Sequence, residues 1–574
     1  MVQRGVRTPA EARAYFQPQM ESLHDPYSMR GMAEAVARVR RAIEGPESIL
    51  IYGDYDVDGV TAVTLLKTAI DMLGGRVRYH IPHRLRDGYG MQSQALEEAA
   101  AAGVRLVITV DNGIREYAAA AAARRLNLDL IITDHHLPSA QADGFDPGAP
   151  EEGEPLPALP PALAILNPNQ PGCGYPCKHL CGAGVAFKLA QALLEERDRP
   201  RARGKILPSF LKLLAIASVA DSVPLLGENR VLVSLGLTQL RQPASLGLRC
   251  LMETAGLDAA AKPITAEDLA FRIAPRINAA GRMDIASEVV ELFGTRDPRR
   301  ARELAGKLDR LNEERRQAEG SMLAEIEARL EQEPAWKSAR CIVMEGEAWH
   351  RGILGILASR IVERMRAPAI VIAREGEQSY GSGRSIPGFH LLRAVESCRD
   401  LFTRFGGHEQ AAGFCLPTAR NAELRRRLEM WAAEHAPGTE PPVECHAWLP
   451  LDRITPSLLG WLRRMEPLGA GNTNPVFVAR NACIDAPVRI LKDRHVRMRL
   501  SQPGGAAFPA LGWNWAARLR DLGLGENCAV HAAFRLRENR HPEFAGIELE
   551  LVDLCPAEAD RESSDAALLE GQRL

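Results

Sequence analysis

Three times between residues 48 and 134 a short apolar run ends abruptly in carboxylates, and this repetition limits the folds open to the chain more than any other feature. Residues 48–52 lead to Asp54, Asp56 and Asp58, residues 105–110 lead to Asp111, and residues 129–133 lead to Asp134, His135 and His136. Runs this short suit buried strands, whereas the stretch from Gly59 to Leu73 and the alanine-rich stretches further on have the spacing of helices. Strand and helix alternating in this way predict a parallel sheet with helices on its faces. Ligand sites of such sheets lie beyond the carboxyl ends of the strands, which is where these acids and histidines would gather. Clustered carboxylates repel one another unless protons or cations intervene, so a divalent metal is the simplest account. A helix cap at Asp58 with solvated neighbours would explain one acidic turn, but not three strands that each deliver acids.

Asp54, Asp56, Asp58 and Gly59 also match the opening of an EF-hand loop. That loop needs a helix before it and a glutamate at its twelfth position; here a strand precedes it and the twelfth position is Leu65. Further on, an apolar helical stretch over residues 210–220 ends in Asp221. Residues 274–284 place Arg276, Asn278, Arg282 and Asp284 among small residues, and the charged segment 299–332 has the spacing of a long helix joining two domains. A second alternating unit begins near residue 340 and carries His350, Arg360, Ser382, Arg384 and His408 beside glycines, a texture that lets backbone and side chains close on phosphate oxygens. From about 443 to 554 short strand-like runs carry Trp513, Trp515, Phe534, Arg535, His541, Phe544 and the basic stretch 494–499, as in an oligonucleotide-binding barrel.

At 574 residues the chain should form three or four domains. With 71 basic and 73 acidic residues it has no global positive field, so any polyanion must be held by local patches and metal ions. It has no apolar run of membrane-spanning length and its first residues lack a signal peptide's apolar stretch, so a cytoplasmic protein is expected. Its 11 cysteines are expected to be reduced, and Cys173, Cys177 and Cys181 around His179 lack the usual spacing of a zinc site.

These motifs resemble the DHH phosphoesterase superfamily and its DHHA1 domain, and most of all its bacterial single-strand-specific 5′ to 3′ DNA exonucleases. The resemblance rests on Asp54 to Gly59, Asp111 to Gly113, Asp134 to His136 and Asp221, then on residues 349–360, 381–385 and 405–413, and on the segment from Glu466 to Phe477. It covers about residues 4 to 554; many relatives carry a longer N-terminal extension. The fold it implies is α/β: a parallel-sheet DHH domain (1–298), a linking helix (299–333), a smaller α/β DHHA1 domain (334–440), an OB-like β-barrel domain (441–556) and a disordered tail (557–574). It implies two-metal phosphodiester hydrolysis of single-stranded DNA to 5′-mononucleotides, in repair and recombination, with two Mn2+ ions or alternatively Mg2+. On this resemblance Asp111 bridges the ions and Asp54, Asp56, His135 and Asp221 complete their coordination. His136 stands by the scissile phosphate, and Asp58 and Asp134 support the ligands from behind. Ser382, Arg384, Arg282 and Arg84 would hold a terminal 5′ phosphate, with Tyr89, Arg276, Asn278, His350, Arg360 and His408 as further substrate contacts. A single-strand-binding protein and a helicase are the implied partners of a monomeric enzyme. Other readings are a relative acting on oligoribonucleotides or cyclic dinucleotides, or a non-catalytic single-strand-binding scaffold.

Overall fold

The computed structural model describes residues 1–84, 86–88, 90–138, 159–241, 245–283, 285–333, 336, 339–437, 443–539 and 546–557. Tyr89, Asp284, His541, Phe544, most of the Pro- and Glu-rich stretch after Leu137, and the tail from 558 lie outside the described residues. The chain divides into two compact units, residues 17–440 and residues 1–16 with 441–574.

The larger unit is built on two sheets. The first comprises β1 (Ser48–Tyr52), β2 (Arg76–His80), β3 (Val104–Val110), β4 (Asp129–Thr133) and β5 (Ala164–Leu166) in the order β2-β1-β3-β4-β5. All pairs are parallel. The apolar runs of β1, β3 and β4 are covered on both faces, which is why they read as continuous and not alternating. Register aligns the carboxyl ends: Tyr52 pairs with Thr109, Val110 with Thr133, and Thr133 with Leu166. Helices Val57–Met72, Gly182–Arg201 and Leu207–Ala220 pack one face into a single apolar core with β1 and β3.

The helix Pro298–Gln332 starts on Asp297, whose carboxylate accepts the Arg299 N–H. Ala301, Leu304, Ala305 and Leu308 enter the first core, whereas Met322, Ile326 and Leu330 enter a second one with Trp349 and Leu354. That second core includes residues of β6 (Ile342–Glu347) and β7 (Ala369–Glu375), which form a sheet with β8 (Gln378–Arg384), β9 (Arg404–His408) and β10 (Ala411–Pro417), ordered β6-β7-β8-β10-β9; Phe405, Ala412 and Phe414 enter a further core.

In the smaller unit, β11 (Ala447–Trp448), β12 (Phe477–Ile484), β13 (Arg489–Leu491), β14 (His495–Ser501), β15 (Phe508–Gly512), β16 (Ala529–Asn539) and β17 (Gly546–Pro556) form one sheet. Because β12 pairs with both β16 and β14, the pairings close a five-strand ring, the OB-like arrangement expected. Trp515 and Phe534 fill its core, whereas Trp513 is 47% exposed beside His495. Residues 1–16, assigned from sequence to the first domain, group here instead: the Tyr15 hydroxyl donates to Asn472 Oδ1 at 2.8 Å, and Arg4 bonds the same buried asparagine. Among the described residues all cysteines are free, and no helix is long and apolar enough to cross a membrane.

Candidate metal centre

The backbone ladder runs one residue past each strand and so fixes the acids. Gly53 N–H donates to His80 O at 2.9 Å, Asp111 N–H to Thr133 O at 3.0 Å and Asp134 N–H to Leu166 O at 3.0 Å. Asp111 sits at φ 63, in the left-handed region, which turns its carboxylate out of the strand direction. Asp56, not Asp58, caps the helix Val57–Met72, accepting Gly59 N–H at 3.0 Å. Gly59 is needed there because a Cβ would lie 2.5 Å from Asp54 O. Asp58 instead reaches across to the start of the helix Gly182–Arg201, accepting Gly182 N–H at 2.6 Å and Ala183 N–H at 2.8 Å. Negative charge at that helix start is favourable.

Three sets of ligand atoms converge, each set lying within 4.8 Å: Asp54 with Asp56 and Asp111; Asp111 with His135 and His136; Asp58 with His135 and Asp221. Asp111 and His135 each belong to two sets. His135 Nε2 stands 3.2 Å from Asp111 Oδ1, 3.8 Å from Asp221 Oδ2 and 3.9 Å from Asp58 Oδ2. Asp134 is fully engaged behind them: it accepts Ile114, His135 and His136 N–H groups at 3.0, 2.7 and 3.1 Å and meets His136 Nδ1 at 2.7 Å. Asn167 and Asn169 donate to the carbonyls of His136 and His135, each at 2.9 Å.

Burial, then repulsion from Asp56, holds the Asp54 carboxyl well above its ordinary range. Burial and the surrounding carboxylates, Asp58 foremost, do the same to Asp111. Burial, then Asp56, raises Asp58 to about 6; burial, then Asp58 and Asp56, raises Asp221 to about 8. Burial, then His136, pushes His135 down to about 3, leaving a neutral imidazole suited to ligation. Burial also works against the His136 cation, but the Asp134 carboxylate outweighs it and lifts His136 to about 9. Asp54 Oδ1 is buried with no hydrogen-bond partner among the described residues. Repelling carboxylates, a bare buried oxygen and a neutral imidazole form a donor set that fits divalent cations of the Mn2+ or Mg2+ type.

Near this cluster three arginines gather: Arg84 after β2, Arg282 on the helix Ala274–Met283 and Arg384 at the end of β8. Ser382 and Arg384 end β8, and Gly355 makes room for them: a Cβ there would lie 2.9 Å from Arg384 Nη2 and 3.1 Å from Ser382 Oγ. Burial, then Arg84 and Arg384, pushes Arg282 down to about 9, and burial, then Arg84, lowers Arg384. Arg282 donates to Gly352 O at 2.8 Å, and Arg84 lies 5.0 Å over the Tyr55 ring. Arg84, Arg282 and Arg384 have no carboxylate ion pair among the described residues. His408, at the end of β9, is near enough to both regions to feel them: its basicity is lowered by burial, then by Arg384, Arg115 and His136.

Other candidates are engaged within the fold. Arg276 binds Asp309 at 2.8 Å and Arg272 O at 2.6 Å, and Arg360 pairs with Glu363 at 3.2 Å and Glu319 at 3.4 Å. Asn278 accepts Val57 N–H at 3.2 Å, and His350 Nδ1 accepts Gly352 N–H at 3.2 Å. Sequence reasoning missed Tyr55, Gly182, Ala183, Asn167 and Asn169; backbone donors and lone asparagines carry no signal in composition or spacing.

Family models match in three places: the DHH family N-terminal domain over residues 48–218, the DHHA1 domain over 338–434 and the RecJ OB domain over 445–553. The single-stranded-DNA-specific exonuclease RecJ of Dickeya dadantii is 38% identical over 88% of this chain and 86% of its own length. The chain belongs to the RecJ family. RecJ of Bacillus subtilis is 37% identical over 87% of this chain, which spans only 60% of that longer relative. The crystal structure of RecJ from Thermus thermophilus in complex with Mn2+ matches with a TM-score of 0.78 at 31% identity, over 96% of this chain and 74% of that one. Its Mg2+ complex matches with a TM-score of 0.72 at 29% identity, over 96% and 73%.

Proposed function

We propose that this chain is a metal-dependent, single-stranded-DNA-specific exonuclease that digests from the 5′ end and releases 5′-mononucleotides. The observation that carries the reading is the juxtaposition, through His136 and His408, of a repelling carboxylate cluster with three arginines that have no carboxylate ion pair among the described residues. Asp111, common to two of the converging sets, would hold the metal ions, with Asp54, Asp56, His135 and Asp221 completing the set. When bound, paired Mn2+ or Mg2+ ions acidify water and offset charge on the phosphoryl oxygens. Asp134 holds His136 Nδ1 and keeps the ring cationic at neutral pH, so that chemistry at this ring runs through Nε2, facing the scissile phosphate. Arg384, Ser382, Arg282 and Arg84 bind the terminal phosphate, and anchoring that end fixes the direction of digestion. The OB-like domain grips the following strand, with Trp513 as the exposed stacking surface. A cytoplasmic monomer working with a single-strand-binding protein and a helicase completes the proposal.

The test is digestion of 5′- and 3′-labelled single and double strands by wild type and Asp111→Asn with Mn2+ or chelator. Metal-dependent release of 5′ label from single strands, lost in the variant, is expected; release in chelator, or full activity of Asp111→Asn, refutes the assignment.

A further inference from the structure

Asp221 is the C-cap of the helix Leu207–Ala220, and the chain then reverses through Ser222 at φ 58. The loop before Gly182 meets the same centre from another side. Three residues beyond His179, the Gly182 N–H, with the Ala183 N–H after it, holds the Asp58 carboxylate at 2.6 and 2.8 Å respectively. Asp58 Oδ2 in turn stands 3.9 Å from His135 Nε2, in one converging set with Asp221. Neither the loop nor the reversal belongs to the parallel sheet, so something else must hold both in place.

We infer that Asn229 is a positioning residue for the metal centre, clamping the loop that holds Asp58 to the Asp221 turn. Asn229 is 1% exposed, in the first turn of the helix Gly227–Gln239. Its single amide nitrogen donates to His179 O at 2.5 Å and to Pro224 O at 3.2 Å. The first carbonyl precedes Gly182 by three residues, and the second follows Asp221 by three. Asn229 Oδ1 is buried without a hydrogen-bond partner among the described residues, so the position is occupied for its two donor hydrogens. The adjacent Glu228 reinforces the same loop: its carboxylate accepts Tyr175 O–H at 2.6 Å and is balanced by Lys188 Nζ at 2.6 Å, both residues of the pair fully buried. A residue that fixes ligand carriers and touches no ligand should govern how tightly metal is held and leave the grip on DNA unchanged.

This inference rests on the metal centre proposed above, and its test separates the two. Mn2+ binding is measured by calorimetry on full-length wild type, Asp111→Asn, Asn229→Asp and Asn229→Ala, with melting in chelator and single-strand KM alongside. Asn229→Asp keeps the shape but sets an acceptor against two carbonyls. Loss of an outer partner of a metal ligand costs roughly 10- to 100-fold in metal affinity. A fall of that size is expected in both Asn229 variants, with a melting transition retained in chelator, KM unchanged and kcat recovered as Mn2+ is raised. Wild type that binds no Mn2+ overturns the metal centre itself. Wild type that binds, with Asn229 variants equal to it, overturns the clamp. So does the absence of any cooperative melt in chelator for both Asn229 variants, because the residue would then serve stability alone.

Discussion

Replacing Gly182 by alanine should silence the enzyme while leaving its fold nearly as stable. Gly182 opens the helix Gly182–Arg201 and donates its N–H to Asp58, and the space where its side chain would stand is taken by Asp111. A Cβ there would lie 2.5 Å from Asp111 Oδ1, 2.6 Å from its Cβ and 2.7 Å from its Cγ. Non-bonded atoms rest at about 3.5 Å, so roughly 1 Å of displacement is needed. Asp111 cannot readily supply it by rotating, since its backbone is held at φ 63 and tied to Thr133 O, so the carboxylate itself must move. Misplacing a reacting group by 1 Å costs about 100-fold in rate, or about 2.7 kcal/mol. Alanine in place of glycine in a helix gains about 0.5–1 kcal/mol, which offsets part of the strain. Turnover of 5′-phosphorylated single strands at saturating Mn2+ should therefore drop about 100-fold, with melting in chelator little changed. Gly204→Ala, where a Cβ meets nothing within 4 Å among the described residues, serves as control. If Gly182→Ala turns over like wild type and gains the same Mn2+-induced rise in Tm, the close packing on Asp111 does not matter to catalysis and the reasoning fails.

Three further outcomes are expected. In chelator, the raised carboxyl groups of Asp54, Asp111 and Asp221 (about 8) keep protons that the unfolded chain gives up near 4. Their contribution is full at acid pH and is lost as pH rises to about 8, so Tm should fall over that window and Mn2+ should restore more of it at pH 8 than at pH 5; a flat profile refutes the cluster's electrostatics. Arg384→Ala should weaken attack on 5′-phosphorylated strands by about 1.5–3 kcal/mol, with calorimetric Mn2+ affinity unchanged; normal digestion places the anchor elsewhere. A fragment of residues 17–440 should cleave short strands but lose salt-sensitive affinity for long ones, and undiminished affinity in a stably melting fragment refutes the grip role of the OB-like unit.

The carboxyl-edge acids were legible because strand endings can be read from short apolar runs, and a parallel sheet brings such endings to one edge. The ring of short strands at the far end was legible as texture, but which aromatics face solvent was not: Trp513 and Trp515 are two residues apart, and only the second is core. Arg276, Arg360 and Arg384 look equivalent in sequence. Asp309 and Glu319 engage the first two, and no spacing rule foretells an acid from another helix. Gly182 and Ala183 act through backbone groups that every residue has, and the Asn229 side chain acts on backbone carbonyls, so only the folded arrangement gives them meaning.

The bond between Tyr15 and Asn472 joins residues 457 positions apart, and the unit it closes takes chain from both sides of residues 17–440. During synthesis residues 17–440 emerge complete, while the helix Pro9–Phe16 waits for a partner that leaves the ribosome after them. On the roles proposed above, the catalytic core would exist before the domain that grips long strands, and each new molecule would pass through a weakly binding youth. The same arrangement makes the core an insertion tethered at both ends, so a single cut in either tether leaves it attached through the other.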